Sequence, residues 1–276
     1  VAPVRAQAIR AIALELERLA NHTGALGALA VDVGFLPTSA QCGKLRGDFL
    51  NMTGLICGNR FGRRLVRPGG VAYDLDANMI ADLLARLKTA LQDLQFPVDL
   101  LWTTPSVMAR FEDVGTVSRE TAIAFGLVGM AARASGIDMD VRHDFPVGAV
   151  KLAKDKIAMC PSGDVFARAR IRWLEIQAAV EIIEGTLNKL PAGPIAAEAG
   201  KTLKPSTCAV ALTEGWRGEI CHVAVTNERG RFTHYKVVDP SFHNWTGLAM
   251  ALRDLPISDF PLNNKSFNLS YCGFDL

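Results

Sequence analysis

The sequence predicts a mainly α-helical protein of the α+β class, with a small antiparallel sheet late in the chain. Apolar residues recur at helical spacing over residues 3–34, 76–94 and 164–190. Short β-branched segments that alternate in polarity appear only after Pro205. Of the 276 residues, 49% are apolar and 21% are charged, which is typical of a globular chain and not of a disordered one.

The residues before Pro205 are predicted to form one helical core, residues 1–205. Pro3 stands in the first turn of the first helix, where proline is favoured, and Ser118 is a predicted N-cap. Residues 135–163 are polar and marked by Gly and Pro, so they are predicted to form a long ordered loop. The predicted helices span residues 3–34, 41–55, 76–94, 98–111, 118–134 and 164–190.

The remaining part, residues 206–276, is predicted to hold a small β-hairpin sheet, a C-terminal helix and a tail. The strands are predicted at residues 207–212, 219–226 and 231–238. The N-E-R-G sequence at 227–230 is a hairpin signal between the last two. A helix is then predicted over residues 242–252.

Charge and apolar runs exclude two classes of protein. Thirty Lys and Arg against 28 Asp and Glu leave a net charge of +2, too balanced for a nucleic-acid-binding protein. The longest uncharged apolar run, residues 121–132, is shorter than the roughly 18 residues of a spanning helix. The chain begins at Val1 without a signal-peptide pattern, which predicts a portion of a longer protein.

Sequence motifs for metal, disulfide and nucleotide chemistry are absent. No C-x-x-C pair occurs, so the six cysteines are predicted to be reduced thiols, with no metal site. Neither a dinucleotide-binding nor a P-loop glycine motif is present, nor are the G-x-S-x-G and H-E-x-x-H motifs. The cysteines are Cys42, Cys57, Cys160, Cys208, Cys221 and Cys272.

The first helix carries a polar stripe on an otherwise apolar sequence. Arg18, His22 and Asp32 fall within a wedge of roughly 80°, with Glu15 beside it. Such a stripe must face water, a partner or a cavity. Two alternatives are open: a solvated face with ion pairs along the helix, or a stripe that handles protons or faces a cofactor.

Arginines and glycines mark two further candidate regions. Arg60, Arg63, Arg64 and Arg67 precede a Pro-Gly-Gly turn, and they form either a solvated loop or a surface that favours negative charge. In the E-G-W-R-G-E sequence at 214–219, glycines let the backbone approach another group closely, and Arg217 could point at it.

The fourth candidate region is the D-P-S-F-H-N sequence at 239–244, where a strand leads into a helix. Asp239, Ser241 or Asn244 is predicted either to cap that helix or to belong to a functional site.

In their order along the chain, eight motifs resemble the large subunit of nickel–iron hydrogenases and the homologous 49 kDa (D) subunit of respiratory complex I. They lie at residues 4–22, 32–34, 58–61, 67–71, 134–142, 163–168, 217–219 and 239–242. The ending at 260–276 is most similar to the group 4, hydrogenase-4/formate hydrogenlyase branch. The resemblance implies the helical core of that family, N-terminally truncated.

Two departures limit what the resemblance implies. Nickel–iron hydrogenases have D-P-C-x-x-C where this chain has Ser241 and Asn244, and a hydroxyl and an amide are poor ligands for a thiolate-type metal site. Hydrogen activation at nickel and iron is therefore not expected. The histidine that complex I subunits have after the G-x-R-F/M motif corresponds to Gly62.

The resemblance implies part of the quinone chamber of a membrane-associated, NADH:quinone oxidoreductase-like complex. It places Asp32 at the chamber carboxylate, with His22 and Arg18 nearby, and implies proton uptake coupled to quinone reduction. The implied chamber-lining or cluster-facing residues are Arg60, Arg63, Arg67, Arg217, Asp239, Ser241 and Asn244.

The chain itself is expected to bind no cofactor and to be inactive alone. The resemblance implies a neighbouring small iron–sulfur subunit with a 4Fe–4S cluster, membrane-arm subunits and quinone as partners, without nucleic acid. It also implies a peripheral position on the cytoplasmic side of the inner or plasma membrane. The alternatives are a nickel-free paralogue in a hydrogenase-4-type complex, and a structural or assembly subunit without redox chemistry.

Overall fold

The computed structural model describes residues 1–146, 148, 152, 156–200 and 202–274, without the side chain of Phe274. Helices dominate these residues, and a three-stranded sheet follows helix 165–188. The elements are α1 (Val4–Asp32), α2 (Leu36–Cys57), β1 (Val66–Arg67), β2 (Gly70–Val71), α3 (Ala77–Thr103), α4 (Pro105–Phe111), α5 (Arg119–Ala124), α6 (Gly129–Ala134), α7 (Val141–Asp144), α8 (Val165–Asn188), β3 (Cys208–Gly215), β4 (Gly218–Thr226), β5 (Phe232–Val238), α9 (Pro240–Ala251), α10 (Phe260–Phe267) and α11 (Tyr271–Phe274).

Helix α1 is the centre of the core, because it packs against both α2 and α8. Its buried apolar residues include Ile9, Leu16 and Leu26. A Cβ atom at Gly27 would lie 2.8 Å from Cys42 Cβ, so the missing side chain lets α1 and α2 approach closely. The predicted first and last long helices are confirmed to within two residues at each end.

The structure corrects three predicted helices. Helix α2 begins at Leu36, five residues before the predicted start at 41, with Pro37 in its first turn. Helix α3 continues through Pro97, where the sequence predicts a break, and Leu94, Val98 and Leu101 around it are all buried. Burial of this apolar stripe compensates for the backbone hydrogen bond that proline removes. The Pro97 carbonyl also accepts a hydrogen bond from the Thr38 hydroxyl at 2.6 Å.

The predicted helix over residues 118–134 is two helices, α5 and α6. Gly126, between them, and Gly129, the first residue of α6, have φ angles of 63° and 62°, in the left-handed region that a continuous helix excludes. The Ser118 N-cap is confirmed, since its hydroxyl accepts a hydrogen bond from Thr121 N at 3.2 Å.

The three predicted strands form one antiparallel sheet in the order β3-β4-β5. The predicted turn joins β4 to β5, and Asn227 Oδ1 accepts hydrogen bonds from the backbone N–H groups of Arg229 and Arg231. The sheet meets the helical core near the β3–β4 turn, where Glu214, Gly215 and Gly218 are buried.

Two segments predicted as irregular contain helices. The C-terminal tail forms α10 and α11, and its last two residues lie outside the described ones. The predicted long loop, residues 135–163, contains α7, while residues 147, 149–151 and 153–155 of it lie outside the described residues. Among the residues with described structure, no helix combines the length and apolar character needed to cross a bilayer.

Candidate functional site: a buried ion network beside an arginine-lined cavity

Arg18 projects from α1 into the protein interior and is completely buried. Its Nε donates to Glu15 Oε2 at 2.9 Å, one helical turn earlier. Its two terminal nitrogens donate to the backbone carbonyls of Glu214 and Gly215, at 2.8 and 3.2 Å. Arg18 therefore connects α1 to the end of strand β3.

Glu175, in the middle of α8, joins three basic side chains from two other helices. Its Oε2 lies 2.7 Å from His22 Nε2 and 3.3 Å from Arg18 Nη1. Its Oε1 accepts hydrogen bonds from Nε and Nη2 of Arg133 in α6. Burial alone would raise the pKa of Glu175, but Arg133 and His22 hold it well below its usual range.

Further charges from α7 and β3 complete the ion network. Arg133 Nη1 donates to Glu214 Oε1 at 2.9 Å, and Glu214 Oε2 accepts from the Val141 N–H group at 3.2 Å. Arg142 pairs with Asp140 at 2.7 Å and with Glu15 at 3.2 Å. The network thus ties α1, α6, α7, α8 and β3 together, and each of its guanidinium groups lies beside at least two carboxyl groups.

His22 is the one imidazole in this network. Burial lowers its pKa to about 4, so it is neutral at physiological pH and donates its Nε2 proton to Glu175. Its Nδ1 has no hydrogen-bond partner among the described residues. The Trp216 ring stands edge-on to it at 6.4 Å.

At Arg18 and His22 the polar stripe of α1 therefore faces buried carboxylates inside the protein. It does not face water or a cavity there. Asp32, the last residue of α1, lies about 15 Å further along the helix axis than His22. The structure does not bring Asp32 together with Arg18 and His22.

The surroundings of Asp32 differ from those of Arg18 and His22. Its Oδ2 atom is buried and has no hydrogen-bond partner among the described residues. Burial raises the pKa of Asp32, and the positive charge of Lys265 in α10 opposes that shift. A carboxyl group in this state is protonated more readily than one in water.

A cavity of about 1050 Å³ lies between α1, α2, α7 and the end of β3. Of the predicted site residues, Arg60 and Arg217 line it. Arg60 donates to the Gly47 carbonyl at 3.4 Å, and Arg217 donates to the Asn268 carbonyl at 2.6 Å while stacking on Trp216.

Arg10 and Arg46 also line this cavity. Arg10 donates to the carbonyls of Arg67 and Gly70, each at 2.7 Å. Backbone carbonyls satisfy guanidinium donors without cancelling their charge, so the arginines make the cavity wall electropositive. Arg63 and Arg67 do not belong to the wall.

Asp239, Ser241 and Asn244 are engaged in hydrogen bonds within the protein. Asp239 caps α9 by accepting a hydrogen bond from Ser241 N at 2.8 Å. The buried Ser241 hydroxyl accepts from Ser270 N at 2.9 Å. The buried Asn244 amide pairs with both backbone groups of Val128, at 3.0 and 3.2 Å.

The residues at the two cysteine positions of nickel–iron hydrogenases thus do not fit a nickel–iron centre. They offer a hydroxyl and an amide, and both already bind backbone groups. Within the described ranges no three His, Cys, Asp or Glu side chains lie close enough to hold a metal ion.

The glycines of residues 214–219 allow the close approach that the sequence predicts. A Cβ atom at Gly218 would lie 2.8 Å from Gly129 Cα, so the β3–β4 turn packs directly on the backbone where α6 begins. This contact positions Trp216 and Arg217 at the cavity.

Sequence reasoning missed the counter-charges of Arg18 and His22. Glu175 is the clearest case, and a signal for it exists. Arg168, Arg172 and Glu175 recur at intervals of four and three residues, which places three charges on one face of α8. The other missed members are Arg133, Asp140, Arg142 and Glu214.

Comparison with known proteins agrees with this architecture. The family model of the 49 kDa subunit of respiratory-chain NADH dehydrogenase matches residues 32–211. The carbon monoxide-induced hydrogenase of Rhodospirillum rubrum is 33% identical over 265 residues, which are 95% of this chain and 73% of that protein.

Two further relatives represent both branches of the resemblance. A (D) subunit of NADH-quinone oxidoreductase from Chloroherpeton thalassium is 36% identical over 223 residues, 80% of this chain and 48% of that protein. Formate hydrogenlyase subunit 5 of Escherichia coli is 32% identical over 274 residues, 98% of this chain and 47% of that protein. The chain spans about half the length of these two proteins.

The helical core and the motif order define the class shared by hydrogenase large subunits and complex I 49 kDa subunits. Within that class, the chain belongs to the family of the respiratory-chain NADH dehydrogenase 49 kDa subunit. The sequence-based recognition and the mainly helical α+β fold class are both confirmed.

Proposed function

We propose that the chain is a subunit of a membrane-associated redox complex of the NADH:quinone oxidoreductase type. In this proposal it forms part of a quinone chamber beside the 4Fe–4S cluster of a neighbouring small subunit. It binds no cofactor itself and sits peripherally on membrane-arm subunits at the cytoplasmic side. The observation that carries the proposal is the state of Asp32, whose Oδ2 is buried and without a partner among the described residues.

Quinone reduction places negative charge on the quinone oxygens, which then require protons. A carboxyl group whose burial favours the protonated form can hold such a proton and release it when charge develops nearby. Because burial raises the pKa of Asp32, this residue suits proton uptake coupled to electron transfer.

The electropositive cavity supports a second part of the proposal. Arg60 and Arg217 donate to neutral backbone carbonyls, and guanidinium groups stabilise an anionic group next to them. The carboxylates of Glu17 and Glu214 also line this wall, and Glu17 and Asp239 act on the Arg217 charge, but the five arginines of the wall outnumber its two carboxylates. An iron–sulfur cluster held by thiolates is an anionic group of this kind, so we propose that this cavity wall faces the neighbouring iron–sulfur subunit.

Asp32→Asn in the assembled complex tests the role of Asp32. Asparagine keeps the shape but cannot bind the proton, so quinone reductase turnover is expected to fall at least tenfold and to lose its pH dependence. Asp93→Asn, an exposed carboxylate on α3, is the matched control and is expected to leave turnover unchanged. Unchanged turnover and pH profile in Asp32→Asn would falsify the proton-uptake role.

A nickel-free role in a hydrogenase-4-type complex is the second candidate. The match to formate hydrogenlyase subunit 5 over 98% of this chain favours it. Quinone-site inhibitors distinguish the two, because they stop electron transfer through a quinone chamber and leave a complex with another acceptor active. If the chain is a purely structural subunit, Asp32→Asn is expected to change neither electron transfer to quinone nor electron transfer to another acceptor.

A further inference from the structure

Helix α10 packs against α1 and has one charged residue, Lys265. Leu262 of α10 and Leu29 of α1 are buried in the same apolar core. Lys265 stands one helical turn beyond Leu262, and Asp32 stands one turn beyond Leu29. Residues three apart share one side of a helix, so both charged side chains leave their helices at the border of that core.

The charge of Lys265 acts on the Asp32 carboxyl group, although the two groups form no ion pair. Burial raises the pKa of Asp32, and the positive charge of Lys265 opposes that rise. The two groups do not lie within ion-pair distance, 4.0 Å, of each other, and Asp32 Oδ2 has no hydrogen-bond partner among the described residues. The structure therefore places a carboxyl group and an ammonium group near each other but unpaired.

The other elements that pack on α1 have their charges engaged elsewhere. The first charged residue of α2 is Lys44, which pairs with Asp93 at 4.0 Å. The first charged residue of α8 is Arg168, whose guanidinium group donates to four neutral oxygen atoms, among them Ser266 Oγ at 2.8 Å. Strand β2 has no charged residue, and the last turn of α1 has no basic one. The cation that acts on Asp32 is therefore the lysine of α10.

We propose that Lys265 is a positioning residue for the proton of Asp32. In this inference, which rests on the proposed function, the Lys265 ammonium group moves against the Asp32 carboxylate once the proton has left. The carboxyl O–H bond breaks, its electron pair stays on the carboxylate oxygen, and the proton bonds to an oxygen of a quinone that the neighbouring cluster has reduced. The ion pair lowers the free energy of the carboxylate and so favours proton release.

The partial exposure of Lys265 allows the pair to open again. When a proton from water returns to Asp32, the ammonium group loses its counter-charge. A fully buried ammonium group would then be costly, but Lys265 is only partly buried and keeps contact with water. The long, flexible side chain of lysine reaches both positions without a movement of α10. The pair can therefore form and separate in each cycle.

The proton affinity of Asp32 tests the pairing on the full chain, without the other subunits. Aspartate labelled with carbon-13 at the carboxyl group is followed by NMR through a pH titration, and Asp32→Asn identifies the signal. Lys265→Met keeps the length of the side chain but removes the charge. The pKa of Asp32 is then expected to rise, with a gain of about three- to tenfold in proton affinity. Lys265→Arg keeps the charge and should stay within about twofold of the parent chain.

Lys88→Met, at an exposed position on α3, is the matched control and should leave the proton affinity of Asp32 unchanged. Equal proton affinities of Asp32 in Lys265→Met and the parent chain would overturn the proposal. If Lys265→Met does not fold, Lys265→Gln removes the same charge and decides in its place.

In the assembled complex, the pH profile of quinone reduction separates a role in proton transfer from a structural role. Lys265→Met should lower turnover about three- to tenfold and raise the pH above which turnover falls, because Asp32 then holds its proton more tightly. Lys265→Arg should keep both close to the parent values. Lower turnover in Lys265→Met with an unchanged pH profile would show a merely structural role and overturn the proposal.

Failure of this inference differs from failure of the proposed function. If Asp32→Asn leaves turnover unchanged, the proposed function is wrong and the inference is wrong with it. If Asp32→Asn lowers turnover but Lys265→Met changes neither the pKa of Asp32 nor the pH profile, the proposed function stands and Lys265 has no part in it.

Discussion

Glu175 binds Arg18, His22 and Arg133 at once, and all four side chains are buried. Its carboxylate, on α8, is the common acceptor for side chains of α1 and α6, so it joins three helices that are distant in the sequence. Arg18 and Glu175, for example, are 157 residues apart. Single buried charges of this kind are costly once their partners are removed.

Glu175→Ala is therefore expected to lower the free energy of unfolding by about 3–5 kcal/mol, because it removes the carboxylate that the buried Arg18 and Arg133 share and leaves the buried His22 without its acceptor. Glu181→Ala on the same helix is the matched control. Glu181 forms an exposed ion pair with Lys156, so its loss should cost about 0–1 kcal/mol. Denaturant titration measures both, and similar losses in the two variants would contradict a stabilising network.

At the scale of elements, the β3–β4 turn is held in place by backbone contact. Gly129 and Gly218 meet without side chains between them, and Arg18 binds two carbonyls at the end of β3. The turn therefore has little freedom, and the cavity wall formed by Trp216 and Arg217 is fixed to the core.

Gly129→Ala is expected to disturb this contact, because its Cβ atom would lie 2.1 Å from Gly218 Cα. Gly126→Ala separates the clash from backbone strain, since Gly126 has nearly the same positive φ but no neighbouring atom within 4 Å of the place its Cβ would take. We expect a loss of about 1 kcal/mol for Gly126→Ala and at least about 3 kcal/mol for Gly129→Ala. Thermal unfolding measures the difference, and equal losses would show that the turn adapts.

Sequence periodicity predicts elements well where apolar stripes are long, as in α1 and α8. It fails at Pro97, because the local rule that proline ends a helix is overridden by burial of the residues around it. It also fails at Gly126 and Gly129, because the 118–134 pattern gives no sign that both adopt positive φ angles.

The candidate site is less predictable from the sequence than the helices are, because its residues come from several distant elements. Arg18 and His22 stand out as polar residues on an apolar helix, but their partners come from α6, α7, α8 and β3. Periodicity identifies a face and does not identify what packs against it. The order of the motifs does identify the family, because the motifs are spread over most of the chain and do not depend on one contact.

At the scale of the whole molecule, the buried His22 makes stability depend on pH. Its pKa is about 4 in the folded chain and about 6.5 when unfolded. Between these values the unfolded chain binds a proton that the folded chain does not. The stability is therefore fully present above about pH 6.5 and falls as the pH decreases toward 4.

From pH 7 to pH 5 the parent chain is expected to lose about 2 kcal/mol of unfolding free energy through His22. His22→Gln keeps a donor for Glu175 but cannot titrate, so this part of the loss should disappear. His234→Gln, at an exposed position on β5, should retain it. Urea titrations at both pH values test this, and a parallel pH dependence in His22→Gln and the parent chain would refute the assignment.

The hydrogen bonds of Ser241 and Asn244 bear on what a metal-binding residue at either position would cost. Each side chain accepts a hydrogen bond from a backbone N–H group: Ser241 from Ser270, and Asn244 from Val128, just before α6. A cysteine at either position would release its backbone partner, at a cost of about 1–3 kcal/mol for each buried group left unpaired. The free energy of metal binding would have to offset this loss. Introducing metal-binding cysteines at these two positions would therefore require new partners for the backbone of Ser270 and Val128 as well as the two substitutions.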